Sequence, residues 1–90
     1  MPQEADVLEK DVHVRFNEDV LGSCRLKNGE QVKIDALREA AREGRVFRGN
    51  IIEKTTPRGK AIQCFEFTNS EDRVRYPSSI SVRFIRERVR

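Results

Sequence analysis

The chain has no tryptophan, one tyrosine, one histidine and two cysteines, and aromatic residues make up only 7% of it. Each scarcity removes a class of protein. His13, Cys24 and Cys64 are too few and too far apart for zinc-ligand spacing, so no metal or other cofactor is expected. There is no glycine-rich phosphate loop and no Gly-x-Ser-x-Gly elbow. No stretch approaches the roughly 20 apolar residues of a membrane helix, so a membrane is not an expected partner. Residues 1–10 are acidic and lack the basic-then-apolar order of a secretory signal. With no such signal, the cysteines are expected as reduced, inward-facing thiols and the location as cytoplasmic. His13 falls on the polar face of an expected strand, and the acid pairs Glu18-Asp19 and Glu71-Asp72 fall in expected turns, where solvated carboxylates are the rule. An enzyme is not expected.

What the chain does have is charge and a modest core. Val, Leu, Ile and Phe together number 24 of 90 residues. That share exceeds the roughly 20% below which a charged chain stays disordered. Lys and Arg number 18 against 15 Asp and Glu, a net charge of only +3. The distribution is uneven. Residues 1–35 hold five basic and eight acidic side chains, a balance of −3, whereas residues 36–90 hold thirteen and seven, a balance of +6. Thirteen of the basic residues are arginine, whose planar fork suits phosphate, carboxylate and base edges.

Residues 1–10 read as a flexible acidic leader, and 11–90 as one compact domain. Val12, Val14 and Phe16 alternate with His13 and Arg15, the pattern of a half-buried strand. Cys24 and Leu26, then Val32 and Ile34, alternate on either side of Asn28-Gly29, which predicts a tight hairpin because both central residues of a type I′ turn need φ > 0. Asp35 reads as the N-cap of one short helix, about 35–44, with Leu37, Ala40 and Ala41 as its apolar stripe and Gly44 at its left-handed C-terminus. Residues 45–54 and 60–67 predict a long hairpin about Thr55-Thr56-Pro57-Arg58-Gly59, with Phe47, Phe65, Phe67 and Phe84 in the core. Residues 68–72 read as a turn, and 73–76 and 80–84 as further strands. The expected fold is α+β: a small, strongly curved antiparallel sheet or barrel of six to seven short strands with one helix.

Two basic features predict a binding surface. The hairpin carries Arg45, Arg48, Lys54, Arg58 and Lys60, and the last stretch carries Arg73, Arg75, Arg83 and Arg86, with Tyr76 placed to stack on a base or to pack over a barrel end. Closely spaced cations repel unless acids or a polyanion offset them. Residues 35–47, Asp-Ala-Leu-Arg-Glu-Ala-Ala-Arg-Glu-Gly-Arg-Val-Phe, followed by a hairpin, resemble the helix-then-wing of excisionase-type winged-helix proteins, which implies DNA binding. In that family a further helix lies upstream, where this chain reads as strands. The Asn28-Gly29 hairpin and successive short strands are similar to small Sm-like or OB-like barrels. The expectation is a small regulatory or accessory protein that binds nucleic acid, DNA more than RNA, through its Arg-rich second half. The alternative is an inhibitor or adaptor docking on an acidic protein surface. The opposed charges of the two halves also permit homo-oligomerisation head to tail.

Overall fold

The computed structural model describes residues 6–22 and 30–89. Strand β1 spans Asp6–Phe16, and helices α1 and α2 follow at Glu18–Gly22 and Glu30–Arg42. Strands β2 (Phe47–Thr55) and β3 (Ala61–Phe67) form the long hairpin, and helix α3 (Ser70–Arg75) leads to the short β4 (Ser79–Ser81). A 3-10 turn at Val82–Phe84 then delivers β5 (Ile85–Val89). The sheet is antiparallel throughout, in the order β4-β3-β2-β1-β5.

That order forces curvature. β4 and β5 occupy opposite edges, yet only three residues join Ser81 to Ile85. A flat five-stranded sheet would hold its edges about 19 Å apart, four spacings of about 4.8 Å. Four residue steps reach at most about 14 Å even when fully extended. The sheet therefore curls into a half-barrel. Its inner face is filled by Phe16, Phe47, Phe65 and Phe67, each 1% exposed or less. Phe16 meets the other three rings at 5.4–6.0 Å, and edge-on pairs link Phe47 to Phe67 and Phe65 to Phe67. Such edge-to-face contacts stabilise by about 1 kcal/mol each beyond the area buried. Leu21 of α1 and Ile34, Leu37, Ala40 and Ala41 of α2 complete the same core.

The fold is the α+β half-barrel that the pattern predicts, with differences in its parts. There are five strands rather than six or seven, and three helices rather than one, among the described residues. Residues 6–10, read as leader, are strand paired with β2 from Asp6 opposite Glu53. Asn28-Gly29 and the flanking strand at Cys24–Leu26 lie outside the described residues. Val32 and Ile34, read as strand, belong to α2, because Ile34, Leu37 and Ala41 repeat at helical spacing and bury one stripe while Val32 stays 71% exposed. Asp35 is therefore no cap. It sits inside the helix, accepting a hydrogen bond from Gln31 Nε2 at 3.0 Å. The C-terminus is as expected. Gly44 takes φ 74°, with Gly44 N–H donating to Ala41 O and Arg45 N–H to Ala40 O, the two bonds of a Schellman ending.

Residues 68–76 differ for a similar reason. The Asn69 side chain accepts from the backbone N–H groups of Glu71 and Asp72, capping α3. Glu71 and Asp72 in its first turn and Arg73 and Arg75 in its last complement the helix dipole. The expected strand 80–84 is divided: Ile80 is β4, while Val82 and Phe84 form the 3-10 turn. The hairpin that the winged-helix likeness would make a free wing is instead the centre of the sheet, although α1 and α2 do precede it.

Gly49 fixes the central pair of strands. A Cβ built there would collide with the Glu66 carbonyl oxygen and the Phe65 ring, which lies across the glycine. Gly49→Ala is expected to lower stability by about 3 kcal/mol or more, because overpacking meets backbone that cannot move aside. Urea unfolding of the purified variant measures it.

Candidate nucleic-acid interface

The arginines divide into those the fold has bound and those it has not. Arg45, delivered by the end of α2, sits 5.0 Å over the Phe47 ring. It donates to Tyr76 Oη at 3.0 Å and pairs with Asp72 at 3.4 Å. Asp72 is the buried carboxylate among the described residues, 7% exposed, and Arg45 supplies its counter-charge. Tyr76 is 2% exposed, edge-on to Phe47 at 5.2 Å. It is a core residue packed on Phe47 and Phe67, the second of the two expectations for it, and is not placed to stack on a base. Residues 73–75, expected as strand, end α3, and Tyr76 follows as its extended C-cap with the ring in the core.

Arg48 gives two nitrogens to Asp11 Oδ1, at 3.1 and 2.8 Å. Asp11 itself bulges out of β1 at φ 56°, its N–H donating to Asn50 Oδ1. Arg45 and Arg48 together line a polar cleft of about 490 Å³ with Asp11, Thr68, Asn69 and Asp72. Its two arginines face two aspartates, so it carries no excess positive charge. Asp11 and Asp72 were not among the expected site residues. The Asn69-to-Asp72 cap spacing was the available signal for one of them.

Other pairs tie distant elements together. Glu9 on β1 holds Arg88 on β5 at 2.7 Å, which keeps the Glu9 carboxyl below its ordinary range and raises Arg88. Glu18 on α1 holds Arg42 on α2 at 2.8 Å and raises it further. All four side chains are substantially exposed, so such pairs stabilise little and salt weakens them.

Lys54 Nζ donates to Ser79 Oγ at 2.5 Å, crossing β3 on the outer face of the sheet to reach β4. The Cys64 thiol lies along that path, pushed up by burial, with the Lys54 charge acting weakly the other way. A thiol held protonated is a poor nucleophile. Cys24 lies outside the described residues.

The side chains of Arg58, Lys60, Arg73, Arg75 and Arg86 have no hydrogen-bond or ion-pair partner among the described residues, and all five are exposed. Arg83 is exposed as well, its guanidinium 4.9 Å over the Phe84 ring. They form separate groups. Arg73 and Arg75 end α3; Arg83 and Arg86 flank the entry to β5. Arg86 lines a cavity of about 330 Å³ that also contains Glu18 and Asp19, so acids share its surroundings.

Arg58 and Lys60 stand at the turn of the β2–β3 hairpin. Among the described residues, β1 pairs with β2 from Asp6 opposite Glu53, and β4 pairs with β3 only as far as Cys64. The β2–β3 pairing continues through the rows Lys54–Ile62 and Thr55–Ala61. Residues 54–65 contain no acidic side chain. The turn is closed by Gly59 N–H to Thr56 O and Thr56 N–H to Lys60 O, both 2.8 Å, and by Lys60 N–H to Thr56 Oγ1 at 3.1 Å. Pro57 and Arg58 occupy its central positions and Gly59 follows at φ 82°, the pattern of a three-residue hairpin loop.

Comparison of the chain with protein-family models, with curated proteins and with solved structures gave no match.

Two outcomes test this division. Arg45→Ala is expected to cost about 2 kcal/mol by stranding the Asp72 carboxylate, whereas Arg58→Ala costs less than about 0.5 kcal/mol. Thermal unfolding of both variants gives the comparison. In a Cys24→Ser background, Cys64 should react with a thiol reagent slowly when folded and rapidly in urea. Its raised pKa also means that the stability it contributes is full below the ordinary thiol range, near about 8.5, and is lost as pH rises through the folded value.

Proposed function

We propose that this protein is a small nucleic-acid-binding accessory protein that contacts the phosphate backbone, with the β2–β3 turn as its leading contact. One observation carries the reading: an acid-free ribbon, closed by three hydrogen bonds, presents the Arg58 and Lys60 side chains with no partner among the described residues. A surface that served only solubility would gain nothing from holding two like charges on a firmly closed turn. Arg73, Arg75 and Arg83 supply further backbone contacts, and Arg86 is the weakest of the set because Glu18 and Asp19 share its cavity. Arg45, Arg48, Lys54 and Tyr76 act in this reading as framework rather than as contacts.

A second reading, docking on an acidic protein surface, draws on α3. There Val74 is 77% exposed between Arg73 and Arg75, an apolar residue flanked by two cations.

Anisotropy titrations of labelled duplex at two salt concentrations separate the readings. Wild-type affinity should fall steeply with salt. Arg58→Ala/Lys60→Ala should reduce the log–log slope by about 2, since each phosphate that a side chain neutralises adds about 0.9 to it. Affinity weaker than about millimolar at low salt would overturn the nucleic-acid reading. A partner recovered from nuclease-treated lysate through α3 would then support the second.

A further inference from the structure

Resting on the nucleic-acid reading, we infer that the ligand is a nucleic-acid duplex, held through its phosphates with no base stacked on the protein.

Every aromatic ring of the chain is committed to the fold. The sequence has five phenylalanines, one tyrosine and no tryptophan. All six rings are buried, the most exposed being Phe84 at 7%. This holds for the whole chain, because residues 1–5, 23–29 and 90 contain no aromatic side chain. Nor can a ring swing out without undoing its neighbours. Phe16 holds Phe47 and Phe65, Phe67 meets both of them edge-on, and Tyr76 packs on Phe47 and Phe67 while its hydroxyl accepts from Arg45. Phe84 lies under the Arg83 guanidinium. Readers of single strands draw on bases stacked against exposed rings, which strengthen binding by about 5- to 150-fold per base. A single strand here would have to be ordered by phosphate contacts alone, against its own flexibility. Arginine planes also stack on bases, but Arg45 and Arg83 already lie over Phe47 and Phe84.

A duplex offers what this surface can use. It carries one negative charge per about 1.7 Å of axis, against about 3.4 Å for each strand taken alone. Each phosphate neutralised on it adds about 0.9 to the salt slope, against about 0.7 on a single strand. Its bases are already stacked on one another and its phosphates are fixed in space, so binding orders little. The cations match that rigidity. Arg58 and Lys60 sit on a turn closed by three hydrogen bonds, and Arg73 and Arg75 on a helix capped by Asn69. Arg83 belongs to the 3-10 turn that carries Phe84 into the core. Duplex DNA and duplex RNA share this phosphate chemistry, and the experiment gives each its own arm.

The test uses the full chain at low salt and four labelled probes of about 20 nucleotides per strand. They are a DNA duplex, the RNA duplex of the same sequence, one strand of that DNA without self-complementarity, and an abasic strand of equal length. At least one duplex should bind about tenfold or more tighter than the single strand. The single strand and the abasic strand should bind within about threefold of each other, because no base is held; a stacking reader would lose about 5-fold or more for each stacked base removed. A duplex preference below about tenfold would overturn the duplex assignment and leave the nucleic-acid reading standing. So would a single strand bound more than about threefold tighter than the abasic strand. Affinity weaker than about millimolar for all four probes would overturn both.

Discussion

The three-residue link between β4 and β5 is the constraint on which the architecture depends. It joins the two outer edges of the sheet and so sets how tightly the sheet must curl. The curl creates an inner face deep enough for Phe16, Phe47, Phe65 and Phe67, and it brings Phe84, carried by the link itself, into the same core. Gly49 lets β2 and the Phe65 ring approach, and α2 closes the open side with a stripe whose last members are only alanines. A chain with few aromatic residues thereby concentrates nearly all of them in one contact network.

The uneven charge of the sequence acquires a structural explanation. β1 lies between β2 and β5, so acids of the first half face arginines of the second within one molecule, Glu9 with Arg88 and Asp11 with Arg48, and α1 adds Glu18 with Arg42 of α2. A polarity that permitted head-to-tail association between chains is partly spent inside each chain. Among the described residues, the cations left over from the excess of +6 in residues 36–90 include those on the hairpin turn, α3 and the β5 entry, with Arg38 on α2.

Legibility followed the length and chemistry of each segment. The 45–67 hairpin could be read because its alternation is long and its turn holds both Pro57 and Gly59. The C-terminus of α2 could be read because Gly44 has the one conformation that ends a helix this way. Val32 and Ile34 misled, since two apolar residues fit period 2 and period 3.6 equally well until Leu37 and Ala41 join the count. Residues 69–76 misled for the opposite reason: a real capping signal at Asn69 was outweighed by the brief alternation of Val74 and Tyr76. The site was legible as a set of basic residues but not as a selection among them. Which arginine is bound depends on where Asp11 and Asp72 arrive, and these come from a bulged strand and a short helix.

The pairing of β1 with β5 sets a timetable for folding. His13 pairs with Val89, nearly the full length of the chain apart. On the ribosome, β1, β2 and β3 can assemble early, but β1 keeps one backbone edge open until β5 has been made. A β-domain whose closing contact spans so much sequence folds slowly. Its nascent form exposes an unpaired strand to its neighbours, and that interval is when the protein is most vulnerable to aggregation and most reliant on chaperones.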